Sequence, residues 1–235
     1  MPQLKSRITQ SVLAAAFLAL AAQGTDHASA AQPDHLQAVL SQMDAGSAKF
    51  LSAQADIKKE QFEKIVNDTT SQSGMVYFLR NGKSTQMGVK LDNGQVFEYK
   101  NGIGRLYNAS TNHLDQFSAS GENQARAETF FTLGFGGSGS DLKKAWAITD
   151  QGTEQLNDGS KTVPVEKLDL VSNDPGARSN FSHVTIWVDP VRDVSLKQEF
   201  FTPSGDTQTA TYSNIRLNQK VNTDAFAIKC KGKCS

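Results

Sequence analysis

Apolar and polar residues follow two different periods along the chain, a helical one near the N-terminus and an alternating one after it. Between Asp34, which can cap a helix, and Gly46, apolar residues recur at the i, i+3, i+4 and i+7 spacing. These positions are Leu36, Val39, Leu40 and Met43. Such a stripe covers one face of a helix. The pattern therefore predicts an amphipathic first helix that packs its apolar face against the rest of the protein.

From Phe50 onward, apolar and polar residues alternate, as they do in antiparallel strands with one solvated face. Asn-Gly pairs at positions 81/82, 93/94 and 101/102, and an Asp-Gly pair at 158/159, separate these segments. Both dipeptides supply the positive φ angles of tight hairpin turns. Spacings of 12 and 8 residues between the first three pairs predict a meander of antiparallel strands.

Two segments are apolar at successive positions, residues 75–79 and 184–188, and must be covered on both faces. Helical patterns occur in two further places, at residues 122–133 and from Ser140, which can cap a short helix, to about Trp146. Because a helix does not follow every strand, a parallel sheet is not expected. The fold class predicted is mainly β with a few short helices.

The first 30 residues have the three parts of a secretory signal peptide. Lys5 and Arg7 make a basic start, an apolar run of eleven residues covers 12–22, and Ala-Ser-Ala at 28–30 is a cleavage signature. Eleven residues are about half of the ~20 that cross a bilayer as a helix. The mature protein is therefore expected to work outside the cytoplasm.

This cleavage site divides the chain into a signal peptide at 1–30, an expected single domain at 31–228 and a tail at 229–235. The full chain has a formal net charge of zero, and losing the signal peptide leaves −1. Nucleic-acid binders carry a basic face, whereas the lysines here cluster only in the tail, which is expected to be a solvated end. We expect a monomer with no nucleic-acid partner and no transmembrane segment.

The two cysteines, Cys230 and Cys234, lie at the end of the chain. An oxidising compartment lets such a pair form a disulfide, and Gly232 permits the turn that brings their Cα atoms close enough. The alternative is two unpaired thiols on a frayed end. Two sulfurs are half of a usual structural zinc set, so no metal site is expected.

Three glycines, Gly134, Gly136 and Gly139, match the G-x-G-x-x-G pattern of dinucleotide-binding loops. That pattern requires a preceding strand and a surrounding βαβ unit, but a helical pattern precedes it here. Together with Gly137, these glycines are therefore interpreted as a flexible hinge between helices. No cofactor is expected.

Patterns for catalysis are weak. His35, His113 and His183 are isolated, and no G-x-S-x-G nucleophile elbow is present. The prediction is a protein that is not an enzyme, with a secreted hydrolase kept as a third alternative.

Arg80 ends the apolar segment at 75–79 and shares a face with Val76 and Phe78. A buried arginine needs several hydrogen-bond acceptors. The pattern alone allows two interpretations, a side chain that reaches water from the strand end or one that binds polar groups on the inner face.

The order of these elements resembles the LolA family of periplasmic outer-membrane lipoprotein carriers. The similarity rests on the signal peptide, the amphipathic first helix, the meander and four segments along the mature chain. These segments are SGMVYFLR at 73–80, FFTLG at 130–134, DL at 141–142 and NTDAF at 222–226.

The resemblance implies a strongly curved, unclosed antiparallel β-barrel in which about three short helices cover a hydrophobic cavity. It implies that Arg80 hydrogen-bonds backbone carbonyls of a helical lid, with Val76 and Phe78 on the same lipid-facing side. The glycines at 134, 136, 137 and 139 would then be the lid hinge.

The resemblance further implies a non-catalytic periplasmic carrier. Such a protein takes the acyl chains of lipoproteins, or other lipids, from an inner-membrane donor complex to an outer-membrane acceptor. The alternative is a periplasmic lipid- or stress-sensing domain that regulates an envelope anti-sigma factor, since those sensors share the curved sheet.

Overall fold

The computed structural model describes residues 33–82, 84–118 and 133–234. Within these ranges the chain forms eleven strands, three α-helices and, near the end, a 3₁₀ helix. The strands are β1 Ser52–Glu63, β2 Asp68–Asn81, β3 Ser84–Leu91, β4 Gln95–Lys100, β5 Ile103–Asn108, β6 His113–Ser118, β7 Trp146–Asn157, β8 Thr162–Ser172, β9 His183–Asp189, β10 Val194–Phe201 and β11 Thr207–Leu217. The helices are α1 Pro33–Ser47, α2 Gly139–Ala145, α3 Pro175–Arg178 and the 3₁₀ helix Thr223–Phe226.

All eleven strands form one antiparallel sheet in the order β6-β5-β4-β3-β2-β1-β11-β10-β9-β8-β7. Each strand pairs with the next along the chain, except that β6 and β7 lie at opposite edges and β1 pairs with β11. The predicted meander and the unclosed antiparallel sheet are therefore confirmed. Between β4 and β5, Asn101 and Gly102 both have positive φ (54° and 76°), as an Asn-Gly hairpin turn requires.

The predicted first and third helices are present, with different caps. Asp34 lies in the first turn of α1, which begins at Pro33, rather than before it. The cap of α2 is Ser138 rather than Ser140, because the Ser138 side chain accepts a hydrogen bond from the Asp141 amide at 3.0 Å. Of the helix predicted at 122–133, residues 122–132 lie outside the described residues, as does the signal peptide at 1–30. No described helix is long and apolar enough to cross a membrane.

The two segments predicted to be covered on both faces are largely buried. Residues 184–188 are all buried, and Val76, Tyr77 and Phe78 are buried too, whereas Met75 is partly exposed. On the outer face of β2, Tyr77 packs against Phe226 of the 3₁₀ helix, with ring centroids 4.8 Å apart. A late segment of the chain thus covers the second face of an early strand.

Helices α1 and α2 pack on one end of the inner face, the face that carries Ile186 and Tyr212. Their apolar side chains form a core with β8 and β9 that includes Val39, Leu40, Met43, Leu142, Leu168 and Ile186. A second core, around Phe50, Val76, Phe78, Phe135 and Tyr212, lies next to it. The inner face is therefore filled by helices at one end and by its own strands and Phe135 further along.

The two helices meet backbone to backbone at Gly139. A Cβ atom at this position would lie 2.2 Å from the carbonyl oxygen of Leu40. The carboxylate of Asp44 accepts hydrogen bonds from both the amide and the hydroxyl of Ser140, at 2.9 and 2.8 Å. Any side chain at position 139 would push the helices apart and disturb these bonds.

We expect Gly139→Ala to lower the free energy of unfolding by about 1–3 kcal/mol, the usual cost of overpacking. The matched control is Gly176→Ala in α3, where the nearest atom, Asp174 Oδ1, is 3.4 Å from the new Cβ. There alanine should be neutral or slightly stabilising. Urea denaturation of both variants checks this, and equal stability of the two would show that the helices do not meet as closely as described.

Candidate functional site

An open cavity of about 380 Å³ lies on the inner face of the sheet, beside the part that the helices cover. Its walls come from β1 to β5, from β10 and β11, and from Phe181 after α3. No described residue of α1 or α2 lines it. Most of the lining side chains are apolar, among them Ile57, Phe78, Met87, Val89, Phe97 and Ala210. A cavity of this size is within the range of small-ligand sites in proteins.

The cavity wall becomes more polar along two adjacent strands. On β1, the inner-face residues pass from Ala55 and Ile57, which are buried, to Lys59, which is exposed. On β11, which is antiparallel to β1, the inner-face residues in the same direction are Tyr212, which is buried, Ala210, which is half-buried, and Gln208, which is exposed. The cavity therefore has an apolar inner end and a polar mouth.

One polar pair lies at the inner end. Buried Gln198 accepts a hydrogen bond from the Tyr212 hydroxyl at 3.0 Å and donates to the backbone carbonyl of Leu133. Burial raises the pKa of Tyr212, so its phenol stays neutral. Because these partners satisfy one another, the inner end of the cavity offers an apolar surface.

Arg80 leaves the end of β2 and binds two separate pieces of chain. Its Nη1 donates to the carbonyl of Ser47 at 2.5 Å, where α1 ends, and its Nη2 donates to the carbonyl of Gly136. The Ser47 hydroxyl donates to the same Gly136 oxygen at 2.7 Å. The guanidinium also lies 5.6 Å from the centre of the Phe50 ring. Arg80 thus joins the end of α1 to the segment that leads into α2.

That segment, residues 133–138, is called the glycine segment below. It lies beside the start of β10. Phe135 forms an isolated β-bridge with Val194, and the backbone amide of Ser195 donates to the Gly134 carbonyl at 2.5 Å. The Phe135 ring stacks on Phe78, with centroids 4.1 Å apart and planes inclined by 9°. Phe135 therefore packs the glycine segment against one core, and buried Leu133 packs it against the other.

The glycines in this segment allow close approach of neighbouring groups. Gly134 and Gly136 have φ of 74° and 73°, and a Cβ atom would lie 2.5 Å from Ser195 Cβ in the first case and 2.4 Å from the Phe50 ring in the second. Gly137 lies in the irregular stretch before α2. The structure gives these residues a packing role, and their role as a hinge stays a prediction.

Asp193 is a buried carboxyl group that the sequence analysis did not identify. It is fully buried, and neither carboxylate oxygen has a hydrogen-bond partner among the described residues. Burial raises its pKa to about 7, although the positive charge of Arg80 opposes this shift and Asp44 adds to it. Asp193 follows a surface-like turn sequence, so no pattern in the chain marks it as buried.

The structure places the other predicted residues in different surroundings. Phe78 lines the cavity, whereas Val76 is wholly buried in the neighbouring core.

Cys230 and Cys234 are joined by a disulfide, with Cα atoms 5.4 Å apart. The tail is not a free end, since Asn112 in the turn after β5 binds the amide of Lys231 at 2.9 Å and the carbonyl of Lys233 at 3.0 Å.

Two His–Asp pairs join different elements of the described chain, His35 with Asp150 at 2.5 Å and His183 with Asp169 at 2.7 Å, and a third, His113 with Asp115 at 3.2 Å, lies within β6. In the first pair, the hydrogen bond to Asp150 raises the pKa of His35. Within the described ranges, no serine or threonine hydroxyl hydrogen-bonds the imidazole of His35 or His183, as a nucleophile would. No group of three metal-ligating side chains occurs in that part of the chain either.

Comparison with solved structures finds similar folds. MucB has a TM-score of 0.51 and 10% identity, with 86% of this chain and 64% of MucB covered, so the chain spans about two thirds of MucB. A LolA superfamily protein from Nitrosomonas europaea has a TM-score of 0.38 and 14% identity, with 82% and 97% covered. The lipoprotein LppX from Mycobacterium tuberculosis has a TM-score of 0.42 and 17% identity, with 81% and 99% covered.

No family model matches the chain. No curated protein sequence matches it either. At these identities the likeness to the solved structures is one of fold.

We expect Arg80→Leu to lower the free energy of unfolding by about 1–3 kcal/mol, because the carbonyls of Ser47 and Gly136 lose a charged donor. The matched control is Arg105→Leu on β5, whose guanidinium forms an ion pair with Glu98 at 3.2 Å. Such a solvent-exposed pair contributes at most about 1 kcal/mol. Urea denaturation should separate the two variants, and a larger loss for Arg105→Leu would contradict the assignment.

Asp193→Asn should become more stable than the wild type as the pH rises. Because the pKa of buried Asp193 lies near 7, the folded protein keeps a proton that the unfolded chain releases near pH 4. Wild-type stability is thus lost between these values, by at most about 4 kcal/mol, whereas the variant has no such group. Urea denaturation of both proteins from about pH 4 to pH 8 checks this, and a constant difference would contradict it.

Proposed function

We propose that this protein is a non-catalytic carrier that holds acyl chains in the cavity on the inner face of its sheet. The observation that carries this proposal is an unfilled apolar cavity in a sheet whose remaining inner face is tightly packed. Soluble proteins fill such space with their own side chains unless a ligand occupies it. The cavity walls are apolar enough for hydrocarbon, and the one polar pair at the inner end is satisfied internally.

The affinity for such a ligand would come mainly from the hydrophobic effect. Each methylene group that leaves water contributes about 0.8 kcal/mol. A carrier must also release its cargo, so binding has to be opposed by another state of the protein. We propose that the empty protein keeps α1 and the glycine segment against the sheet, and that cargo which extends past Phe78 at the inner end of the cavity displaces Phe135 and with it these segments.

Arg80 is the residue that sets the balance between these two states in this proposal. Its hydrogen bonds to the carbonyls of Ser47 and Gly136 join α1 to the glycine segment. These two segments together with α2 are called the helical cover below. Cargo that moves the helical cover must break these hydrogen bonds, at about 1.5–3 kcal/mol for a bond to a charged group. Transfer to a stronger acceptor then needs no nucleotide.

The compartment and the partners belong to the proposal as well. A signal peptide at 1–30 would deliver the protein to the periplasm, where an inner-membrane donor and an outer-membrane acceptor of lipids or lipoproteins would act before and after it. The disulfide between Cys230 and Cys234 is compatible with an oxidising compartment.

A second candidate is a periplasmic sensor that regulates an envelope anti-sigma factor. The observation in its favour is the fold similarity to MucB, which has also been solved as a complex with MucA. Affinity purification from envelope extract separates the two functions. A transmembrane regulator as the main partner would favour the sensor, and bound lipid or lipoprotein would favour the carrier.

The cavity is tested by filling it. Ala210→Phe places a ring in the cavity, whereas Thr209→Phe places one on the opposite face of the same strand. We expect Ala210→Phe to weaken the binding of a fluorescent acyl probe at least about tenfold, the loss for roughly two methylenes that stay in water. Thr209→Phe should bind like the wild type. No binding to the wild type, or equal binding to both variants, would contradict the proposal.

A further inference from the structure

The cavity mouth carries a cation, Lys59. Lys59 is the only charged residue among the described residues that line the cavity. In the register of the sheet it stands between Ala210 on β11 and Gln72 on β2, both neutral. Its ammonium forms no ion pair with any described residue. No neighbouring strand therefore places a carboxylate opposite it.

Three lysines on the outer face of the sheet form ion pairs. The adjacent Lys58, on the opposite face of β1, forms an ion pair with Glu60 at 2.8 Å, and Lys197 forms one with Glu199 at 3.3 Å. On the outer face, Lys167 pairs with Glu154 at 3.1 Å. Lys59 differs from these three lysines, because it lies on the inner face and has no counter-ion among the described residues.

Lys59 stands at the boundary between the apolar and the polar part of the cavity wall. It lies one inner-face position beyond Ile57, where the wall changes from buried and apolar to exposed. The surrounding walls lower its pKa by burial, although the side chain still reaches solvent. A cation in such surroundings gains when an anion approaches, because its own hydration is already reduced.

We propose that the ligand of this cavity is an anionic amphiphile, with its acyl chain among the apolar walls and its carboxylate or phosphate headgroup against Lys59. The inference rests on the proposed carrier function and adds the sign of the headgroup charge. Half-buried Gln95 and exposed Gln208 also line the cavity, and their amides can donate to headgroup oxygens. Hydrocarbon contacts supply most of the affinity, and Lys59 sets the orientation and the charge preference.

The test compares ligands that differ in headgroup charge. Binding of cis-parinaric acid and of its methyl ester is measured by fluorescence at about pH 8, where a free carboxylic acid is ionised. A second pair, lysophosphatidic acid and monoacylglycerol, competes with the fluorescent probe and distinguishes phosphate from carboxylate. We expect the wild type to prefer at least one anion over its neutral partner by about fivefold, the usual upper value for an exposed ion pair.

Variants of the two adjacent lysines identify the residue responsible. Lys59→Gln should abolish the preference while keeping the affinity for the neutral ligands, and Lys59→Arg should retain it. The matched control, Lys58→Gln, removes a charge of the same sign from the other face and should leave the preference unchanged. Thermal melting of each variant confirms that it is folded.

The outcomes separate this inference from the proposed function. If the wild type binds acid and ester equally and does the same with the second pair, the charge preference is wrong while the acyl cavity stands. A preference that survives in Lys59→Gln also overturns the assignment of Lys59. If no ligand of either pair binds, the carrier function itself fails.

Discussion

The hydrogen bonds of Arg80 connect parts of the chain that the sheet alone would leave separate. Ser47 ends the first helix, and Gly136 leads into the second, 89 residues later. Each carbonyl has left water, and a buried acceptor without a donor costs about 1–3 kcal/mol. A single guanidinium, with five N–H groups in a fixed plane, satisfies both carbonyls from one strand end. This one side chain therefore adds a polar link between helices and sheet to the apolar packing of α1 and α2.

A second ionisable group lies in the interior near Arg80. Asp193 is fully buried near Arg80, and its carboxylate has no hydrogen-bond partner among the described residues. Burial favours the neutral acid, and the attraction of Arg80 only partly offsets this preference. A movement of the helical cover would therefore change the solvation of the Asp193 carboxyl group.

The inner face of the sheet is used in two ways. Around β8 and β9 it packs against α1 and α2, and Phe135 fills the space next to Phe78 and Tyr212. Beyond this point no helix of the described ranges lies against the inner face, and the cavity opens there. The eleven strands form more inner surface than α1 and α2 cover.

Much of the fold could be predicted from the sequence because it depends on local patterns. The Asn-Gly turns, the alternating segments and the helical stripe each specify backbone geometry within a few residues. The first helix, the α2 helix and the antiparallel meander were predicted in this way, whereas the open sheet was implied by the family resemblance, and the structure confirms all four. The two doubly apolar segments also indicated strands covered on both sides, since a buried face needs a partner wherever it lies.

The residues of the site depended on contacts across the whole chain. Arg80 was identified from its strand, but its acceptors at Ser47 and Gly136 follow from where two distant segments pack. Lys59, Ala210 and Asp193 have no distinguishing pattern, because a lysine in a strand is usually solvated and an aspartate in a turn usually reaches water. The sequence by itself determined which segments are strands and helices. Only the tertiary structure decided which polar groups were left without partners, because desolvation depends on what the fold places around each group and not on its neighbours in the chain.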